Sequence, residues 1–344
     1  MIRLKTSRSG RYGLALLLSL FIPLYSFGQA KGLATIEPRM RLIVDNDLSG
    51  DPDGLFQLAH LLLSPSVELR AIIGSHLHPN DGFDRSKTQA DNAAQKAREL
   101  LQVMQMTKPI PVLAGSNTAM LNDSTPVKNE AVNLIIREAL RTDTKLPLYV
   151  VCGAGLTEIA SAVLTNPQIA DKLTLIWIGG PEYPELATPP PGYSEVEYNL
   201  NIDQAAARAV FNRSTVPLWQ VPRNVYRQCL LSYAQLLTQV KPKGKTGAYL
   251  MGVLETLMGR IQRFINIGET YILGDSPLVL LTALQSSFEP DPSSSHYVVR
   301  QAPRLTQAGL YAQNHKGRPI RVYTQVDTHL MFEDFFAKLE LMNP

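Results

Sequence analysis

Short runs of β-branched and apolar residues alternate along the chain with longer stretches in which apolar positions recur every three or four residues. Residues 41–45, 68–73, 110–114, 146–152, 173–178 and 216–221 carry the first pattern and predict strands, and 321–326 predicts a last one. Residues 54–63, 86–106, 128–140 and 157–164 carry the second and predict helices between them, and 330–341 predicts an amphipathic helix at the end. Strands alternating with helices predict an α/β fold, a mostly parallel central sheet with helices on both faces. Residues 226–272 read as largely helical, broken near 242–245, so the C-terminal part should hold a largely helical segment. Two stretches read as long loops, 181–194 with Pro184 and Pro189, Pro190 and Pro191, and 289–295 (EPDPSSS). Neither is as long as a flexible interdomain linker and no internal repeat is visible, so residues 31–344 read as one domain.

The first 30 residues depart from this pattern. Arg3, Lys5, Arg8 and Arg11 precede an apolar run over 14–27 interrupted by Pro23, with small residues at Gly28 and Ala30. A basic front, a short apolar stretch and small residues at its end read as a cleavable signal peptide, residues 1–30, and imply a secreted or periplasmic protein. The run is shorter than the ~20 residues a spanning helix needs, so no stable membrane anchor is expected after cleavage. The chain's formal charge of +3 owes its sign to those four basic residues, and the remainder is close to neutral. No Lys/Arg-rich run remains to bind nucleic acid. With 45% hydrophobic and 18% charged residues the composition is that of an ordinary globular protein with a large core. Only Cys152 and Cys229 occur, which excludes a Cys-based metal site by number and leaves two buried thiols or one bridge equally open.

The chemistry concentrates where the first predicted strand ends. Asp45-Asn46-Asp47-Leu48-Ser49-Gly50-Asp51-Pro52-Asp53-Gly54 places four carboxylates within nine residues, between an apolar strand and an apolar helix. Such crowding is unfavourable unless a cation or protons neutralise it, and hard oxygen ligands suit Ca²⁺ or Mg²⁺. An EF-hand loop does not fit, because its twelfth position is Phe56 and a strand precedes it where a helix is required. A haloacid-dehalogenase-like phosphatase would use Asp45 as nucleophile and a later Gly-Asp motif; Gly274-Asp275 begins one, but no second acid follows within 277–280.

The whole set of motifs resembles the inosine-uridine preferring nucleoside hydrolase family. The Asp45…Asp53 loop resembles the family's calcium loop, and Gly155-Leu156-Thr157 resembles the segment whose Thr gives a main-chain carbonyl to the metal. Gly179-Gly180 is similar to its Gly-Gly turn, and Val196-Glu197-Tyr198-Asn199 followed by Asp203 to its ribose-holding segment. Leu273-Gly274-Asp275 falls where the family has a His-Asp pair. These pieces follow one order from about residue 41 to the C-terminal strand.

The resemblance implies hydrolysis of the N-glycosidic bond of a nucleoside or related N-riboside by a Ca²⁺-bound water. It implies Asp47 as general base and metal ligand, with Asp51, Asp53, Asp275 and the Thr157 carbonyl completing the metal shell. Asp45, Asp53, His78, Glu197 and Asn199 are implied as substrate contacts, Asp51 and Asp53 dividing the ligand and ribose roles in an order left open. A homo-oligomer is a further implication. Two positions depart from the pattern: Gly54 stands where a second paired Asp is expected, and Gly274 replaces the His that protonates the leaving base. A non-hydrolytic sugar- or nucleoside-binding protein of the same fold is therefore the alternative. His76, His78 and His296 are the histidines to examine for a substitute, with His78 preferred. Trp177, Tyr183, Tyr193 and Tyr198 are the aromatics that could stack on a base, although Trp177 sits inside an apolar strand and reads better as core.

Overall fold

The computed structural model describes residues 35–193, 196–286 and 294–342. The expected signal peptide lies outside them, as does most of the 289–295 loop. Eight strands form the central sheet: β1 Met40–Asn46, β2 Val67–Gly74, β3 Val112–Ala114, β4 Leu148–Cys152, β5 Leu173–Ile178, β6 Leu218–Val221, β7 His296–Gln301 and β8 Pro319–Gln325. Their order across the sheet is β3-β2-β1-β4-β5-β6-β8-β7. All neighbours run parallel except β7, which pairs antiparallel with β8 at one edge.

Parallel strands need crossovers, and the crossing helices cover both faces. Leu42 and Val44 of β1 point into a core shared with α1 (Asp53–Leu62), α2 (Gln89–Val103) and the C-terminal helix Thr328–Met342. Ile43 points the other way, into a second core with α3 (Glu130–Ala139) and α4 (Thr157–Thr165). The expected fold class is therefore found, with strands apolar on both faces because both faces are buried.

Three strands start later than the apolar runs predict, and one cause serves for all. Pro111, Pro147 and Pro217 stand immediately before β3, β4 and β6. A proline has no N–H to give the ladder. Each still uses its carbonyl, accepting from Ile72 N, Arg41 N and Leu175 N respectively. The segment predicted as helical over 226–272 is helical at Tyr233–Gln235, Leu236–Val240 and Gly244–Ile261, with the expected break before Gly244, but its ends pair as an antiparallel ribbon, Leu230–Ser232 with Thr270–Ile272. That ribbon carries the chain back to the strand ends just before Asp275. Strand β7 has no counterpart among the predictions: Val298 and Val299 on it are exposed, so its sequence shows no buried face.

Cys152 and Cys229 are free and buried, and they belong to the two different cores. The C-terminal helix is fastened to α1 by a small polar cluster. Asp334 Oδ2 lies 2.7 Å from His60 Nε2 and 2.6 Å from Lys338 Nζ, which also donates to Ser64 Oγ at 2.9 Å. Burial lowers the His60 pKa to about 4, so the imidazole is neutral at pH 7. Asp334→Ala would strand the buried Lys338 ammonium, and we expect it to cost about 2–3 kcal/mol. Urea unfolding would show this as a lower midpoint at unchanged slope; an unchanged midpoint would remove the cluster's assigned role.

Candidate active site

The strand order reverses between β1 and β4, and at such a switch point the connecting loops diverge and open a crevice at the carboxyl ends. β1 ends in Asp45 and Asn46, the following loop delivers Asp47 and Asp51, and Asp53 opens α1. Asp275 arrives from the return of the C-terminal ribbon. A cavity of about 230 Å³ results, with Asp47, Asp51, Asp53, Asp275 and Asn199 on its wall. Phe83, Ile178 and Ile272 give it an apolar side, and Tyr198 and Tyr226 bring phenol groups to it.

Asp51, Asp53 and Asp275 are each held by a protein donor. Asn46 Nδ2 donates to Asp275 Oδ2 at 2.8 Å, and the Asp275 N–H donates to Asp53 Oδ2 at 3.2 Å. Asp51 Oδ1 accepts from the Tyr271 hydroxyl at 2.8 Å and from the Asp53 N–H at 3.2 Å. These bonds do not offset the crowding. Burial, then the neighbouring Asp275 and Asp51 charges, holds Asp47 well above the usual carboxylate range, and the same causes raise Asp53. Burial lifts Asp275 to about 7 against the Asn46 hydrogen bond, and Asp51 to about 6 against that of Tyr271.

An all-oxygen donor set that resists ionisation suits a hard cation in its chemistry. Among the described residues, no three His, Cys, Asp or Glu side chains stand at ligating spacing. The acids are thus near one another, three of them tied to protein donors, and acids alone do not complete a cage. Next to them, the fully buried Asn46, whose amide nitrogen bonds Asp275, has its Oδ1 without a hydrogen-bond partner.

The other candidate residues lie around this centre in different ways. Asp45 is fully buried behind the cavity, where it accepts from Ser75 Oγ and from Cys152 Sγ at 3.9 Å. It has no place on the cavity wall, which removes the phosphatase reading that needs it as an accessible nucleophile. Thr157 opens α4 beneath the cavity, its hydroxyl donating to Asp203 Oδ2 at 2.7 Å with His76 Nε2 3.0 Å away. Asp203 also accepts from the Met120 and Ala206 N–H groups, so it ties α4 to the following helix. Glu197 is buried and fully engaged: its two carboxylate oxygens accept from the N–H groups of Gly180, Asn199 and Leu200 and from the Tyr226 hydroxyl. It holds the turn that presents Asn199. The Gly180 backbone that reaches it has φ +86°, and a Cβ there would fall 2.3 Å from Gln220 Nε2 and from the Tyr311 hydroxyl.

Asn199 Nδ2 donates to the carbonyls of Ile178 at 2.8 Å and Gly153 at 3.2 Å, which leaves its oxygen for a ligand. His78 is exposed with its ring bonded to the Pro79 carbonyl, His76 is buried, and His296 starts the edge strand β7; none of the three lines the cavity. Trp177 and Tyr183 are core residues, bonded to the Ala154 carbonyl and to Gln220, and Tyr193 lies under the Arg223 guanidinium. Tyr198 alone of the four aromatics reaches the cavity, with its hydroxyl 2.8 Å from Asp81 Oδ2. Tyr226, Tyr271 and Asn46 were not among the expected site residues; the two tyrosines are brought in from far along the chain, and only Asn46, flanked by acids, carried a local signal.

The family model of the inosine-uridine preferring nucleoside hydrolases matches residues 42–333. The chain belongs to this family. Solved structures agree on the fold. A plant nucleoside hydrolase superposes with TM-score 0.67 at 19% identity, over 88% of this chain and 99% of the other. A purine-preferring ribonucleoside hydrolase from Gardnerella vaginalis gives 0.63 at 20% identity, with 88% and 99% covered. The inosine-uridine preferring nucleoside hydrolase of Bacillus anthracis gives 0.60 at 17% identity, with 87% and 99% covered. Compared with curated proteins by sequence, the chain has no match. The two glycines read from the sequence as departures, Gly54 and Gly274, are both closely surrounded. A Cβ at Gly274 would stand 3.3 Å from both Asp53 Oδ2 and Tyr226 Cδ2, and one at Gly54 would stand 3.0 Å from Asn46 Nδ2.

The raised carboxylates fix the sign of a pH effect. Groups whose pKa rises on folding bind protons more tightly in the folded state, so their contribution is complete below the ordinary range near ~4. It is lost as pH climbs through Asp51 near 6 and Asp275 near 7. A hard cation such as Ca²⁺ compensates most where the acids are ionised. We therefore expect saturating Ca²⁺, compared with chelator, to raise Tm more at pH 8 than at pH 5. Equal gains at the two pH values in thermal melts would show that the cluster is not the binding site.

Proposed function

We propose that this chain hydrolyses the N-glycosidic bond of a ribonucleoside or related N-riboside with Ca²⁺ as its cofactor, releasing base and ribose. The observation that carries this reading is the meeting of Asp47, Asp51, Asp53 and Asp275 with Asn199 on one cavity at the sheet's switch point. Asp47, Asp275, one of Asp51 and Asp53, and the Thr157 carbonyl would hold the ion. When bound there, Ca²⁺ supplies an oriented water of lowered pKa.

The chain's own residues do the rest. Asp47, buried where a carboxylate takes up protons readily, accepts the proton of the water as its oxygen bonds the anomeric carbon. The carbon–nitrogen bond breaks with its electron pair passing to the base nitrogen. Asn199 offers its free oxygen to a sugar hydroxyl, and the second of Asp51 and Asp53 accepts another. Glu197 keeps the Asn199 turn in place through its four donors; a direct sugar contact by Glu197 would require the Tyr226 hydroxyl to give way. The apolar wall of Phe83, Ile178 and Ile272 excludes water beside the reacting centre. The basic and apolar N-terminal segment supports action outside the cytoplasm on scavenged nucleosides.

One observation favours a second reading, a sugar- or nucleoside-binding protein without hydrolysis. Among the described residues no imidazole lines the cavity, and a side chain at Gly274 would begin only 3.3 Å from Asp53 Oδ2 and Tyr226 Cδ2. A single assay separates the two: reducing-sugar release from purine, pyrimidine and nicotinamide ribosides, with Ca²⁺ or with chelator. We expect calcium-dependent release, and a fall in kcat/KM of about 10²–10⁴-fold in Asp47→Ala. Riboside binding with no release on any substrate would establish the binding protein instead.

A further inference from the structure

We propose that the side-chain oxygen of Asn46 is a ligand of the bound cation, standing in for the carboxylate that position 54 lacks. The inference rests on the calcium reading above and concerns how this chain completes the site. Asn46 is the residue between Asp45 and Asp47 at the end of β1, and it is fully buried. Its amide nitrogen faces two acceptors, Asp275 Oδ2 at 2.8 Å and Gln57 Oε1 at 3.4 Å. With Asp275 ionised, as a bound cation would hold it, turning the amide over would set two acceptor oxygens 2.8 Å apart, so Nδ2 stays on Asp275 and Oδ1 is the free end. That oxygen has no hydrogen-bond partner in the folded chain. A buried carbonyl left unpaired is unusual, and the nitrogen of the same amide reaches Asp275, one of the acids that themselves need a cation.

The packing around the amide ties it to the glycine at 54. A Cβ on Gly54 would fall 3.0 Å from Asn46 Nδ2 and 3.2 Å from both Cγ and Oδ1. On the opposite side, a Cβ on Gly153 would fall 2.6 Å from Asn46 Nδ2 and 2.5 Å from Asp275 Oδ2. The amide is therefore wedged in a slot that exists because neither neighbour has a side chain. An acid at 54 and the Asn46 amide compete for one place, and this chain has chosen the amide. The exchange replaces a charged ligand by a neutral one, which lowers the repulsion among the remaining carboxylates and predicts weaker calcium binding than a complete set of acids would give.

The test is metal affinity of the purified protein, by calorimetry with Ca²⁺ and by Tb³⁺ luminescence, with melting in chelator as the check on folding. Asn46→Ala should bind Ca²⁺ at least about tenfold more weakly while melting as a folded protein. Asn46→Asp decides between ligand and mere support. As a ligand position it gains a charge and should bind Ca²⁺ more tightly than wild type. If Asn46 only donates to Asp275, the same change removes a donor and adds repulsion, and binding should weaken, which overturns the proposal. The double variant Asn46→Ala with Gly54→Asp, which empties the slot and restores the acid, should recover the affinity lost in Asn46→Ala. Wild-type affinity in a folded Asn46→Ala also overturns the ligand role. Absence of Ca²⁺ binding by the wild-type protein would instead sink the calcium reading itself.

Discussion

The structure depends on one electrostatic constraint: several carboxylates are gathered at the ends of parallel strands, where water is scarce. Taking carboxylates out of water is costly, and placing them side by side adds mutual repulsion. Much of the surrounding architecture answers that cost. The Asn46 amide, the Tyr271 hydroxyl and the Asp53 and Asp275 N–H groups each give a hydrogen bond to an acid. Gly54 and Gly153 make room for the donor on Asp275. None of these residues would be needed to build an α/β sheet; they are needed because this one ends in acids.

The sheet itself follows from simpler rules. Strands apolar on both faces and helices between them dictate a covered parallel sheet, and the order of the strands then decides where a crevice opens. Fold and site are consequently separable. Structures sharing only 17–20% of their residues with this chain superpose over nearly their whole length. Gly274 stands on the cavity wall and Gly54 packs against the Asn46 amide, so both glycines border the acids.

Much of this was legible in the sequence. Apolar periodicity located the strands β1 to β6 and β8, and the density of aspartates marked the end of β1 as a site, because neither feature needs long-range information. Proline chemistry, at Pro111, Pro147 and Pro217, was equally readable and corrects the strand starts. Other features were not legible for physical reasons. Strand β7 is exposed on an edge and so lacks a two-faced pattern. The ribbon of Leu230–Ser232 with Thr270–Ile272 is made by a pairing across about forty residues, which no local window reports. Asp45 and His78 were placed by motif, yet only side-chain direction separates a residue on the cavity wall from one behind it: Asp45 turns to Ser75 and Cys152, and His78 turns to solvent. Tyr226 and Tyr271 reach the acids from the far end of the chain.

The two thiols lie on opposite sides of the sheet, each sealed in its own apolar layer. Burial raises both well above the usual thiol range, which keeps them protonated and poor as nucleophiles. With the sheet between them no bridge can form in the folded state, and nothing in the assembly of either layer waits on one. The chain can therefore reach the same folded state with or without an oxidant, in a reducing compartment or an oxidising one. Its maturation places no demand on oxidative folding machinery.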